Sequence, residues 1–183
     1  MRFLVAMRWL IAGLIGALMS CAPATKATAP ASALVPGAVV ASSDNTAKHG
    51  QTVYVPVYSH VAVGDRAQPY ALAITLSARN TDRVQSITVI SARYFDSKGR
   101  MIRNFAEKPV ALGPMASVDY FIEESDKSGG SSASFLVEWV ANAPVGDPIF
   151  EAVMVGTRNQ QGVSFTSYGR VVEDRAKLSG TEP

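Results

Sequence analysis

The stretch TVYVPVYSHV, residues 52–61, sets Val53, Val55 and Val57 against Tyr54, Pro56 and Tyr58. Apolar residues at every second position, with β-branched side chains among them, predict a strand with one face toward a core. Pro56 has no N–H to give a ladder, so this strand is expected at a sheet edge or bulged there.

The same period recurs downstream. In LAITLSARN, Leu72, Ile74, Leu76 and Ala78 share one face, opposite Thr75, Ser77 and Arg79. In 86–95, Ile87 and Val89 stand on one face and Ile90, Ala92 and Tyr94 on the other. That strand is expected to be central, or to change register at a bulge near Val89. Asp96-Ser97-Lys98-Gly99 reads as a tight hairpin turn, with glycine where a left-handed backbone is needed. Pro109 and Gly113-Pro114 cut the next stretch into short pieces, after which Val118, Tyr120 and Ile122 alternate with polar residues. SFLVEWVA is apolar on both faces, and Trp139 within it is expected in the core. IFEAVMVGT is expected to pair with GVSFTSYGRVV across the turn at 158–162.

No segment shows a helical period. The expectation is an all-β, antiparallel two-sheet sandwich of about eight strands, immunoglobulin-like in architecture, over 52–172. A small closed β-barrel is the alternative. The only cysteine, Cys21, lies outside that stretch, so no internal disulfide is possible and the fold must stand on its core.

Upstream, 22–51 is rich in Ala, Pro, Thr and Ser and has no aromatic residue. Such a segment buries too little to repay its ordering entropy, so 21–51 is expected to be a tether. Arg2 and Arg8 precede an uncharged run, 9–18, and LMSC closes at Cys21. A positive start, an apolar middle and small residues at the cut predict a secretory signal over 1–20. The run is about half the length needed to cross a bilayer. LMSC resembles the lipobox of bacterial lipoproteins, in which the cysteine takes lipid and becomes the first mature residue; Met19 departs from that pattern. The competing reading is an ordinary secreted protein cut near Ser20. Residues 173–183 are polar and expected to fray.

Of the 17 basic residues, Arg2 and Arg8 fall in the signal, leaving 15 against 15 acidic ones. A balanced chain without a basic run cannot release counterions from phosphates, which excludes nucleic acid as a partner. Blue copper needs a cysteine and two histidines, and the domain holds only His60. Structural zinc fails for the same lack of ligands, and no cofactor is implied.

The sites that remain open are few. His60 ends the first strand beside Ser59, with Asp65 and Ser167 as partners for a nucleophilic site on paper, but no G-x-S-x-G elbow exists. Glu124 and Asp126, in the acidic turn before Gly129-Gly130, could offer oxygens to calcium, with Lys127 set against them. Glu138 and Glu151 each interrupt an apolar strand. They could act as an acid–base pair, or point outward and pair with arginine, Arg79 and Arg93 being the candidates.

TVYVPVYSHVAVGDR, LAITLSARNTD, FIEESDKSGG with FLVEW, and EAVMVGTRNQQGVSF, in that order, resemble Domain of Unknown Function 3124. The resemblance runs from Val53 to Val172. It implies a small exported bacterial protein, in a family many of whose members are described as lipoproteins, and it carries over no activity, ligand or catalytic residue. The expected function is a lipid-anchored, non-catalytic binding or structural module of the cell envelope. Its location would be the periplasmic face of the outer membrane if the host has two membranes, with an envelope protein or glycan as partner. An envelope hydrolase using Glu138, Glu151 or His60 is the alternative.

Overall fold

The computed structural model describes residues 39–40, 49–64, 68–158 and 160–174. The expected signal at 1–20, Cys21, most of the expected tether, Asp65 and the tail beyond 174 lie outside the described residues. Among the described residues there are thirteen strands: β1 (Val39–Val40), β2 (His49–Val57), β3 (His60–Val63), β4 (Gln68–Ala71), β5 (Ala73–Arg79), β6 (Ile87–Phe95), β7 (Met101–Asn104), β8 (Val110–Leu112), β9 (Ser117–Ile122), β10 (Ala133–Ala141), β11 (Ile149–Arg158), β12 (Gln161–Tyr168) and β13 (Arg170–Asp174). One 3₁₀ turn, Gly130–Ser132, precedes β10.

A seven-stranded sheet runs β1-β8-β6-β10-β2-β13, with β7 also on β6, and a four-stranded sheet runs β12-β11-β5-β9. The β3–β4 hairpin stands apart. All pairings are antiparallel. The two sheets pack as a sandwich, not a closed barrel. The large sheet turns Val53, Val55, Val89, Ala92, Phe135, Val137 and Trp139 inward, and the small sheet answers with Ile74, Leu76, Val118, Tyr120, Ala152 and Met154, all buried. Period two put these residues on one face, and their burial against the facing sheet supplies the main stabilising term.

β6 is both central and bulged. Glu138 pairs with Ser91, and Trp139 pairs with Val89, so Ile90 is the extra residue. The bulge lets Ile87 and Val89, then Ala92 and Tyr94, face the same core. Pro56 lies on β2 beyond the last residue that β13 pairs, Tyr54, so the proline's bare side faces no ladder partner.

Five features differ from the sequence reading. β2 starts at His49, because Gly50 and Gln51 pair with Val140 and Trp139 in spite of their polarity. The sheet extends through β13 to Asp174. The stretch expected to be a tether contributes β1. GVSFTSYGRVV is two strands: β12 stays with β11, and after Gly169 the chain crosses to the large sheet as β13. A Cβ at Gly169 would meet Val53 Cγ1 at 2.6 Å and the Phe150 carbonyl oxygen at 3.1 Å, so the crossing needs glycine for room. The strand count exceeds about eight because breakers such as Pro109 and Gly113-Pro114 leave short pieces that still pair.

Candidate functional site

Alternation along β10 and β11 decides where the two glutamates go. Phe135, Val137 and Trp139 point into the core, so Glu138 points out of the large sheet. Phe150, Ala152 and Met154 point in, so Glu151 points out of the small sheet. The carboxylates therefore stand on opposite outer faces of the sandwich, and no single substrate can touch both. Each has an arginine from the neighbouring strand. Arg93 on β6 donates to Glu138 Oε1, both side chains being about one-third exposed. Arg79 Nε donates to Glu151 Oε1 at 3.1 Å. These are the two arginines named as candidates from the sequence.

Around Glu151 the register builds a row straight across the small sheet: Asp119, Ser77, Glu151 and Tyr168. Ser77 Oγ donates to Asp119 Oδ1 at 2.6 Å. The adjacent row is Phe121, Thr75, Val153 and Thr166. Phe121 is 41% exposed and Tyr168 67%, one at each edge strand of this face. Sequence reading missed Asp119, Phe121 and Tyr168. Their outward phase was legible, but which strands lie side by side was not.

His60 lies at the start of β3, opposite Ala71. Its Nδ1 is buried without a hydrogen-bond partner. Beside it, Ser59 is fully buried; its N–H and Oγ both donate to the Gly130 carbonyl, at 3.1 and 2.9 Å. Ser167 Oγ donates instead to the Pro56 carbonyl. The serines that might have served His60 are thus engaged with backbone. The Tyr94 hydroxyl comes up against Gly129 and Ser59, without a well-aligned hydrogen bond to either. Burial, with Asp126 nearby, pushes its phenol up to about 12.

In the acidic turn, Glu124 is exposed, and Asp126 Oδ1 accepts from Ser128 N at 2.9 Å. Among the described residues no three His, Cys, Asp or Glu side chains cluster as metal ligands. No helix of the described residues is long and apolar enough to cross a membrane.

The family model for protein of unknown function (DUF3124) matches residues 50–172. The chain belongs to this family. The matched span runs from the second residue of β2 into β13, so the family's unit is the sandwich itself. No curated protein matches the chain. Among solved structures it is similar to the crystal structure of Thermotoga maritima 1070, at 12% identity over 67% of this chain and 95% of that one, with a TM-score of 0.43.

Proposed function

We propose that this protein is a lipid-anchored module of the cell envelope that works by binding or structural support, not by catalysis. The placement of Glu138 and Glu151 carries the non-catalytic reading. A general acid and a general base must face one substrate, whereas these two carboxylates face opposite sides and each is neutralised by an arginine. The outer face of the small sheet, with Phe121 and Tyr168 exposed at its edges and Asp119 and Glu151 partly exposed between them, suits an envelope protein or a glycan. Aromatic faces and fixed polar groups in one flat patch are what such partners engage.

The anchor rests on Cys21 at the end of LMSC, behind Arg2, Arg8 and the uncharged run. One acyl chain alone holds a protein to a membrane only marginally, so a stable anchor needs more than one. Cys21→Ser should release the protein from membranes or block its processing. A variant still membrane-bound and cut at the same place would overturn the anchor. In a two-membrane host, Ala22 after the cysteine is compatible with sorting to the outer membrane, which fractionation would test. The non-catalytic half has its own test: Glu138→Gln and Glu151→Gln should each complement a deletion strain. Loss of complementation by a normally folded Glu138→Gln protein would restore the hydrolase reading.

A further inference from the structure

The registers of β10 with its two neighbours lay out the outer face of the large sheet in rows. Pro56, Ser134 and Phe95 form one row, Tyr54, Leu136 and Arg93 the next, then Thr52, Glu138 and Ser91. The first two rows hold an open depression of about 330 Å³. Its size is at the lower end of small-molecule sites, which run to about 300–1,000 Å³. Tyr54 and Phe95 stand diagonally across it, on the strands either side of β10, and Leu136 and Ser134 form its floor.

One end is closed by two turns that are tied to each other. Asp96 holds the first: its Oδ1 accepts from the N–H groups of Lys98 and Arg100, at 2.8 and 2.9 Å, and its Oδ2 from Arg100 Nε at 2.8 Å. Ser97 N–H donates to the Gly129 carbonyl at 3.1 Å, which fixes the second, the 3₁₀ turn that carries Ser132. Walls held in this way lose little freedom when a ligand arrives.

The lining narrows what fits. Its one charged residue is Asp96, and Arg100 closes that carboxylate; Arg170, beside Tyr54 on β13, stands outside the lining. The site therefore favours a neutral ligand. Main-chain groups are already used, because β10 pairs with both β2 and β6 over 134–138, so an extended peptide finds no edge to join. Hydroxyls remain. Ser134 is only 7% exposed, and its Oγ has no hydrogen-bond partner among the described residues. Ser97 and Ser132 bring two more hydroxyls to the rim. A hydroxyl so deeply set is costly to leave unpaired, and here it can be served only from the depression. A sugar ring packs an apolar face on an aromatic side chain and presents hydroxyls at its edge, which meets each of these conditions.

We infer that this depression binds one neutral sugar ring of a glycan, with its apolar face against Tyr54 or Phe95 and a hydroxyl paired with Ser134 Oγ. The inference rests on the binding-module reading and places the glycan on the sheet opposite Phe121 and Tyr168.

The test uses the isotope-labelled chain from residue 21 carrying Cys21→Ser, so that anchoring plays no part. The neutral probes are maltotriose, cellotriose and triacetylchitotriose; trigalacturonic acid is the charged control, and the peptide GGWGG stands for an aromatic side chain of a protein. At least one neutral trisaccharide should shift the amides of 54, 95–97 and 132–136 and leave those of 119–121 and 166–168 in place. Tyr54→Ala should weaken that binding at least about ten-fold. Ser134→Ala should weaken it about three-fold or more with an unchanged urea midpoint, because its hydroxyl bonds to nothing within the protein. Phe121→Ala, on the small sheet, should change neither. No shift from any neutral probe, or shifts from the charged trimer or the peptide alone, would overturn the inference. Binding kept in Tyr54→Ala but lost in Phe121→Ala would put the glycan on the small sheet, which sinks this inference and leaves the binding-module reading standing.

Discussion

The two outer faces of the sandwich are built by the same alternation and each covers some outward residues and bares others: Tyr54 on the large sheet is 40% exposed, and Ser77 on the small sheet only 5%. On the large sheet, Ser91, Ser134 and Val140 point away from the core and are still no more than 8% exposed. On the small sheet, Phe121, Ile149 and Val155 point away from the core and are each more than 40% exposed. Both faces carry one glutamate–arginine pair. On the large sheet Arg93 keeps a buried Nε without a partner. On the small sheet Arg79 is half exposed and water can serve what Glu151 does not. The two glutamates are alike in exposure, Glu138 at 29% and Glu151 at 22%, and the difference between the sheets lies in their arginines, Arg93 at 33% and Arg79 at 49%.

The largest test of that contrast sets an inward residue of the large sheet against an outward residue of the small one. Trp139→Ala removes a buried ring and leaves a cavity, costing about 3–5 kcal/mol. Val155→Ala should stay within about 0.5 kcal/mol. Urea denaturation of both, against a total stability of about 5–15 kcal/mol, would separate them clearly. A mild Trp139→Ala would mean that the large sheet's inner face is not the core described.

Alkaline titration asks whether the two inner faces are equally dry. Tyr94 projects from the large sheet and Tyr120 from the small one, and burial pushes each phenol up to about 12. Their folded values lie above the ordinary 10, so the stability they lend is complete below pH 10 and is lost as pH rises through about 12. Each two-unit shift corresponds to roughly 2–3 kcal/mol. Ultraviolet titration should show Tyr94 and Tyr120 ionising late and together with unfolding. Ionisation of both at ordinary pH in the folded state would break the equivalence of the two faces.

The glutamate pair sharpens the outer-face contrast. Glu138→Gln and Glu151→Gln should each cost about 1 kcal/mol or less, as partly exposed ion pairs do. Glu138→Gln should be the costlier, because Arg93 has less water to turn to. Equal losses, or a larger loss for Glu151→Gln, would erase the distinction drawn between the faces.

The smallest expected effect lies where loops from the two sheets are tied. Asp82 accepts from the N–H groups of Val84 and Gln85, both at 2.8 Å, and of Gly146 at 3.1 Å. Those bonds hold its carboxyl below the usual 3.8. Its stabilising contribution is present above that value and is lost as pH falls through the depressed one. Asp82→Asn should flatten the acid limb of a pH–stability curve, and an unchanged limb would mean the tie is idle.

Most inward residues could be named in advance because period two is a property of consecutive residues, and burial then follows for any strand with one apolar face. Ile87, Val89, Ala92 and Tyr94 left a central strand or a bulge near Val89 as the two readings, and the pairing with β10 shows both. The arginine partners of the glutamates were legible for a simpler reason. An outward carboxylate among apolar neighbours needs a cation, and Arg79 and Arg93 lie on strands with the right phase. The row of Asp119, Ser77, Glu151 and Tyr168 was not legible, because it joins four strands across 50 residues of chain, from 119 to 168, and back to 77. Local alternation carries no information about which strands adjoin.

By itself, then, the chain determined an all-β class, a core that must hold without a disulfide, and the face on which nearly every strand residue lies. These follow from steric and hydrophobic preferences that act between near neighbours. Tertiary structure alone decided that Glu138 and Glu151 stand on opposite sides, that Gly169 carries the chain between sheets, and that Val39–Val40 close the β8 edge. Each depends on contacts between residues far apart in sequence, whose backbone groups are chemically alike. Only the packing of the whole sandwich selects which of them meet.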